Sequence, residues 1–195
     1  MMKILTFLIL LITSFASAQW HNAIVEMKSG ERIETKTFVV DEEQKRFKLK
    51  SANSETHNVL LANSENVASI SYQMEGRELI LKKLPVDKKG KNKPIDIFAE
   101  TIFEGEKISI IVGYKPYFEN NRVTGKITST NYYIFLNGKE FSVPIGKINS
   151  NNKGRFLDSN QLRNYLKDTS FNLSVLKDDF DANSLVKLAT EFENN

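Results

Sequence analysis

The chain predicts an α+β protein, mainly antiparallel β-sheet, with about three short α-helices at the C-terminus. Two observations predict this. Apolar and polar residues alternate along short segments between residues 22 and 147, with polar turns roughly every 8–12 residues. From Asp158 onward the apolar period lengthens to about 3.6. Alternation with one wet face is the antiparallel pattern, and it suits a small sheet or a partly closed barrel.

The first eighteen residues read as a cleaved signal peptide. Lys3 precedes Ile4–Ile12, which is apolar apart from Thr6, and Ala16-Ser17-Ala18 supplies a small-x-small cleavage site. The apolar run is too short for a membrane span of ~20 residues. Cleavage after Ala18 predicts a secreted or periplasmic protein with no transmembrane segment left.

Residues 19–81 form an N-terminal β region. Ala23, Val25 and Met27 alternate with polar neighbours, and Ser29-Gly30-Glu31 is a turn. Ile33, Thr35 and Thr37 follow, then Phe47 and Leu49, the Val59-Leu60-Leu61 patch, Ile70 and Tyr72, and Leu79 and Leu81 beyond the Met74-Glu75-Gly76 turn. Residues 82–94 are lysine-rich. Lys88, Lys89, Lys91 and Lys93 could bind an anionic polymer, but neither aromatics nor arginine interleave with them, which favours a solvated linker or loop.

Residues 95–150 form a second β region. Residues 95–103 fit a strand or a short helix, because Phe98 blurs the alternation. Lys107–Val112 is a buried strand. Tyr132–Leu136 and Lys139–Val143 flank Asn137-Gly138, a pair suited to a tight turn with two positive-φ positions. Residues 157–195 are helical, and 95–195 are expected to form one unit. Asp158 and Gln161 make a capping-box pattern ahead of Leu162, Tyr165 and Leu166. Phe171, Val175 and Leu176 suggest a second helix, and Asp181 caps a third that carries Leu185, Leu188, Ala189 and Phe192 on one face.

Composition excludes much chemistry. Without cysteine there is no disulfide, thiol nucleophile, zinc–thiolate site or iron–sulfur cluster. A net charge of +3 does not indicate nucleic acid. Of the two histidines, His21 is expected to be frayed near the mature N-terminus, and His57 to sit in a polar turn. No Gly-x-Ser-x-Gly elbow or phosphate-binding glycine loop occurs. No metal, cofactor or catalytic residue is assigned. Carboxylates remain as a route to hydrolysis of envelope polymers, through Glu100, Glu104 and Glu106 or through Asp178, Asp179 and Asp181. Tyr114, Tyr117 and Phe118, with Asn120, are candidates for stacking on a sugar and bonding its hydroxyls, or for the edge of the core.

The order of these features resembles a broad group of uncharacterised secreted proteins of Gram-negative bacteria. The resemblance rests on Lys28-Ser29-Gly30-Glu31, on Phe103-Glu104-Gly105-Glu106-Lys107-Ile108-Ser109-Ile110, and on Tyr132-Tyr133-Ile134-Phe135. Short C-terminal helices at Asn160–Lys167, Phe171–Lys177 and Ala182–Glu193 complete it. Members often carry a cysteine-proline pair between the last helices, where this chain has Ser174-Val175-Leu176. The resemblance implies export, a β-rich body and a helical C-terminus. It transfers no functional residue, because the group has no known activity. The function expected is that of a non-catalytic envelope or extracellular protein that binds or supports a glycan or protein partner. A hydrolase or a glycan-binding module is the alternative.

Overall fold

The computed structural model describes residues 20–51, 59–119, 122–149, 154–156, 160–175 and 180–195. The expected signal peptide, His57, Asn120, Asp158, Asp178 and Asp179 lie outside them. Among the described residues, eleven strands form one antiparallel sheet. They are β1 (His21–Met27), β2 (Arg32–Thr37), β3 (Arg46–Ser51), β4 (Val59–Asn63), β5 (Val67–Met74), β6 (Arg77–Val86), β7 (Ile95–Glu104), β8 (Ile108–Glu119), β9 (Arg122–Leu136), β10 (Val143–Asn149) and β11 (Gly154–Phe156). Two helices follow, α1 (Asn160–Leu166) and α2 (Ala182–Asn194).

The sheet runs β11-β10-β9-β8-β7-β6-β5-β1-β2-β3-β4. It curls twice. A three-residue 3-10 turn, Ser64–Asn66, joins β4 to β5 although β1, β2 and β3 lie between them. In a flat sheet those two strands would stand about 19 Å apart, farther than the link can reach at ~14 Å, so the sheet must bend round on itself. The second curl is marked by the Asp87 amide, which donates to the Ser142 carbonyl at 2.8 Å, and by the Ser142 amide, which donates to the Pro85 carbonyl at 3.0 Å. These bonds join the end of β6 to the residue before β10, past β7, β8 and β9.

Alternation builds the main core. Val25, Phe47, Leu49, Ile70, Leu79, Leu81, Phe98, Ile110 and Ile134 point to one side, where Leu162 of α1 and Leu185, Leu188 and Ala189 of α2 pack against the same cluster. A smaller core on the other side holds Val86, Ile97, Ala99, Ile111 and Tyr133. Residues 95–104 are therefore a strand whose neighbours Ile97, Phe98 and Ala99 are all buried, because both faces are covered. This is why Phe98 breaks the alternation.

Several expectations are corrected. Among the described residues there are two C-terminal helices, not three. The middle segment forms a 3-10 turn, Leu173–Val175, with the Asn172 side chain accepting from the Ser174 amide at 2.9 Å. That local bond competes with helical turns. The capping-box partner Asp158 lies outside the described residues; Gln161 Nε2 donates to the Asp87 carbonyl at 2.8 Å. The lysine-rich stretch does not begin a linker at residue 82, because β6 continues through Val86, held by β7. Asn137-Gly138 is not a two-residue hairpin loop. Gly138 has φ 86° and Asn137 is not left-handed, because the Asn137 amide is drawn to the Lys107 carbonyl at 3.0 Å and its side chain to the Gly105 carbonyl. The turn with two positive φ values is Glu75-Gly76, at 52° and 82°, which closes the β5–β6 hairpin. His21 is not frayed: it starts β1 and is buried beside Tyr72.

Candidate functional site

Strands β7 and β8 pair from Glu104 and Ser109 up to Ala99 and Gly113, and then part. Glu42, from the connection between β2 and β3, enters the fork. Its amide donates to the Tyr114 carbonyl at 3.0 Å, and its carbonyl accepts from the Phe98 amide at 2.8 Å. One residue thus replaces the ladder bonds that the separating strands give up.

The Glu42 side chain lies over Gly113, fully buried. A Cβ at Gly113 would stand 2.1 Å from Glu42 Oε2, so only glycine leaves room for the carboxylate. The register sets Ala99 and Asn131 on either side of Gly113. Oε1 accepts from Asn131 Nδ2 at 2.8 Å and from Lys88 Nζ at 2.7 Å, while Oε2 accepts from the Tyr133 hydroxyl at 2.8 Å. Lys115 Nζ stands 3.5 Å from Oε1 and bonds Asp41 at 3.0 Å. Lys88 also bonds Glu43 at 2.7 Å, and Lys91 lies 3.9 Å from Glu43. A buried carboxylate is tolerated only when paired and fully hydrogen-bonded, and this one is.

Protonation follows from the contacts. Burial works against the Lys88 ammonium, but its bonds to Glu42 and Glu43 outweigh burial and raise its pKa. The Lys88 hydrogen bond holds the Glu43 carboxyl below the usual range. Burial first, and then the Glu42 charge, push the Tyr133 phenol far up, so it stays a donor.

A second polar cluster joins β6, β7 and β8. Arg77 Nη1 meets Glu100 Oε1 at 2.5 Å, Arg77 Nη2 donates to the Tyr114 hydroxyl at 3.0 Å, and that hydroxyl donates to Glu100. Burial and the bond to Glu100 raise the Tyr114 pKa. Glu100 is therefore committed to Arg77 and Tyr114, and Glu42 is sealed from solvent. Neither is placed to take a proton from a substrate. Glu104 and Glu106 are exposed and flank the β7–β8 turn, and Asp181 is the N-cap of α2, accepting from the Ser184 amide at 2.8 Å. Among the described residues no group of three or more His, Asp and Glu side chains could hold a metal ion.

The aromatic candidates are not gathered into one patch. Tyr114, Tyr117 and Phe118 lie within β8. Tyr114 is buried in the main core and Tyr117 is 44% exposed. The Phe118 side chain lies outside the described residues. Of the lysine candidates, Lys88 is bound inside the acidic cluster, while Lys89, Lys91 and Lys93 are exposed on the β6–β7 connection. Comparison with known proteins finds no matching family model, no matching curated protein and no matching solved structure.

A concave feature of the surface lies elsewhere. A groove of about 490 Å³ runs over β2, β1, β5 and β6, lined by Asn22, Ile24, Glu34, Lys36, Ser71 and Gln73, with Glu78 at its β6 side. The register aligns Glu34, Ile24, Ser71 and Ile80 in one row across the four strands, and Ile80 is 49% exposed. Lys36 faces Asn22 and Gln73 faces Glu78 in the next. Sequence reasoning missed both features. Asn22, Ser71 and Gln73 read simply as the wet face of alternating strands. Glu42 stands in an Asp41-Glu42-Glu43 run directly after Phe38-Val39-Val40, and that abrupt junction of apolar run and acids is the one local signal it leaves.

Proposed function

We propose that this is an exported, non-catalytic binding protein of the envelope or extracellular space, and that the groove over β2, β1, β5 and β6 is its ligand face. The observation that carries the reading is the groove's lining. Asn22, Ser71, Gln73, Glu34 and Lys36 offer donors and acceptors together over the apolar floor of Ile24. Such a mixture suits a polyhydroxylated chain, since each sugar hydroxyl both donates and accepts. The groove's two carboxylates, Glu34 and Glu78, stand on β2 and β6 with β1 and β5 between them. Glycosidases instead place two carboxylates facing each other across the scissile bond, roughly 5–10 Å apart, so the groove's mixed lining supports binding rather than cleavage.

The test is titration of the purified protein with soluble envelope glycans. Binding should weaken at least about tenfold, about 1.4 kcal/mol, in the double variant Asn22→Ala, Gln73→Ala, with the circular dichroism spectrum unchanged. Binding that ignores these substitutions would move the ligand away from the groove. Release of reducing sugar, abolished by Glu34→Gln or Glu78→Gln, would make the protein a hydrolase instead.

A further inference from the structure

One oxygen of Glu42 gathers the groups that an internal cross-link needs. Oε1 accepts from Lys88 Nζ at 2.7 Å and from Asn131 Nδ2 at 2.8 Å, with Lys115 Nζ at 3.5 Å. An amine, a carboxamide and a fully buried carboxylate able to carry protons between them are neighbours, in a chain that has no cysteine to staple it. We propose that Lys88 and Asn131 form an intramolecular isopeptide bond, with Glu42 as the proton carrier.

The step balances within the cluster. Glu42 takes a proton from the Lys88 ammonium and leaves a free amine. The Nζ lone pair attacks Asn131 Cγ, the carbonyl electron pair moves to Oδ1, and a tetrahedral centre forms. Glu42 returns its proton to Nδ2, the Cγ–Nδ2 bond breaks, and ammonia departs as the carbonyl re-forms. The surplus proton on Nζ passes through Glu42 to the ammonia. The products are one secondary amide and one ammonium ion, with Glu42 again a carboxylate, and no oxidant or cofactor takes part. Lys115 Nζ, 3.5 Å from Oε1, remains beside Glu42 once Lys88 is neutral.

Burial disfavours the Lys88 ammonium, but the bonds to Glu42 and Glu43 favour it more strongly, so the free amine is the minor form and the reaction is slow. Two factors still carry it forward. Groups held on a common oxygen react at an effective concentration far above any reached in solution, and ammonia is lost irreversibly. The bond would tie the β6–β7 connection to the middle of β9, across the fork that Glu42 fills.

Whole-protein mass is an ambiguous readout, because the Asn137-Gly138 pair can also lose ammonia, as can Gln19 if cleavage after Ala18 makes it N-terminal. The full chain is therefore aged at neutral pH, digested with trypsin and sequenced by tandem mass spectrometry. The expected product is a branched peptide joining the Lys88 and Asn131 segments, lighter by one ammonia and uncut after Lys88. It should be absent from Asn131→Ala and from Glu42→Gln. Wild-type protein alone suffices if those variants fail to fold. Two linear peptides with unmodified Lys88 and Asn131, from folded and aged protein, would overturn the proposal. A branch at Lys115 would overturn the choice of lysine.

Discussion

Glu42 and Gly113 are a matched pair: the carboxylate occupies the space where a side chain on Gly113 would be. Glu42→Ala leaves the Tyr133 hydroxyl and Asn131 amide without their acceptor and removes a counter-charge from Lys88 and Lys115. Breaking a buried pair costs about 3–5 kcal/mol. Here the lysines are 24% and 29% exposed and can rehydrate, so about 3 kcal/mol is expected. Gly113→Ala should cost about 1–3 kcal/mol through overpacking in wild type, and less once Glu42 is alanine, where only its Cβ, 3.0 Å away, is left to give way. Urea unfolding of the four proteins of this cycle, compared at constant m, measures the coupling. Additive costs would mean that the two residues do not share one space. Glu43 sets a pH dependence at the same place. Its folded pKa lies below its unfolded value because of Lys88, so its contribution is present above the ordinary glutamate range, near pH 4.3. That contribution is lost as pH falls through the folded value. Denaturation midpoints measured from pH 6 to pH 3 should fall less steeply in Glu43→Gln than in wild type.

At the level of elements, α2 combines local and tertiary causes. It has 13 residues, too few to be stable alone in water. The Asp181 cap starts it, and burial of Leu185 and Leu188 contributes about 1.5–3 kcal/mol each. The Glu193 carboxylate fastens its last turn by accepting from the Lys107 and Ile108 amides, both at 2.8 Å. Asp181→Ala should cost about 1 kcal/mol, read as a lower thermal midpoint. Asp181→Asn should cost less, because asparagine also caps. Elements of this kind were legible in the sequence, because a cap and an apolar stripe are written within a few residues. The wet-faced strands were legible for the same reason: Val25, Phe47, Leu49 and Ile70 alternate with solvated neighbours and are buried as expected. Legibility ended where distant segments decide. Strand β7 looked ambiguous because a second core covers its other face. Asn137-Gly138 carried the strongest hairpin signal, yet the neighbouring turn claims the asparagine, while Glu75-Gly76 makes the two-residue turn. Lys88 looked like part of a solvated run because its partners, Glu42 and Glu43, lie 46 and 45 residues away.

For the molecule as a whole, the main question is whether its two curled regions unfold together. The sheet is hydrogen-bonded without interruption through β6, β5 and β1, and the main buried cluster runs from Ala23 to Ala189. The link between the regions is aromatic as well as polar. Phe47 of β3 meets Phe98 of β7 edge to face, with ring centroids 5.1 Å apart, and the Glu42 backbone bonds both β7 and β8. A shared core and a shared ladder make partial unfolding expensive, since releasing either region would expose the apolar face of the other. One cooperative transition is therefore expected. The chain offers a local probe: Trp20, the single tryptophan, packs on Phe38 with centroids 4.0 Å apart and reports the N-terminal curl. Its fluorescence and the far-ultraviolet circular dichroism, which averages over all strands, should give superimposable urea curves. Phe98→Ala should lower stability by about 3–5 kcal/mol by opening a cavity at the junction, and the two probes should still coincide if the remaining ladder holds the regions together. Curves that separate in wild type would show two independent units meeting at β5 and β6. Curves that separate only in Phe98→Ala would assign the coupling to this aromatic contact rather than to the Glu42 fork.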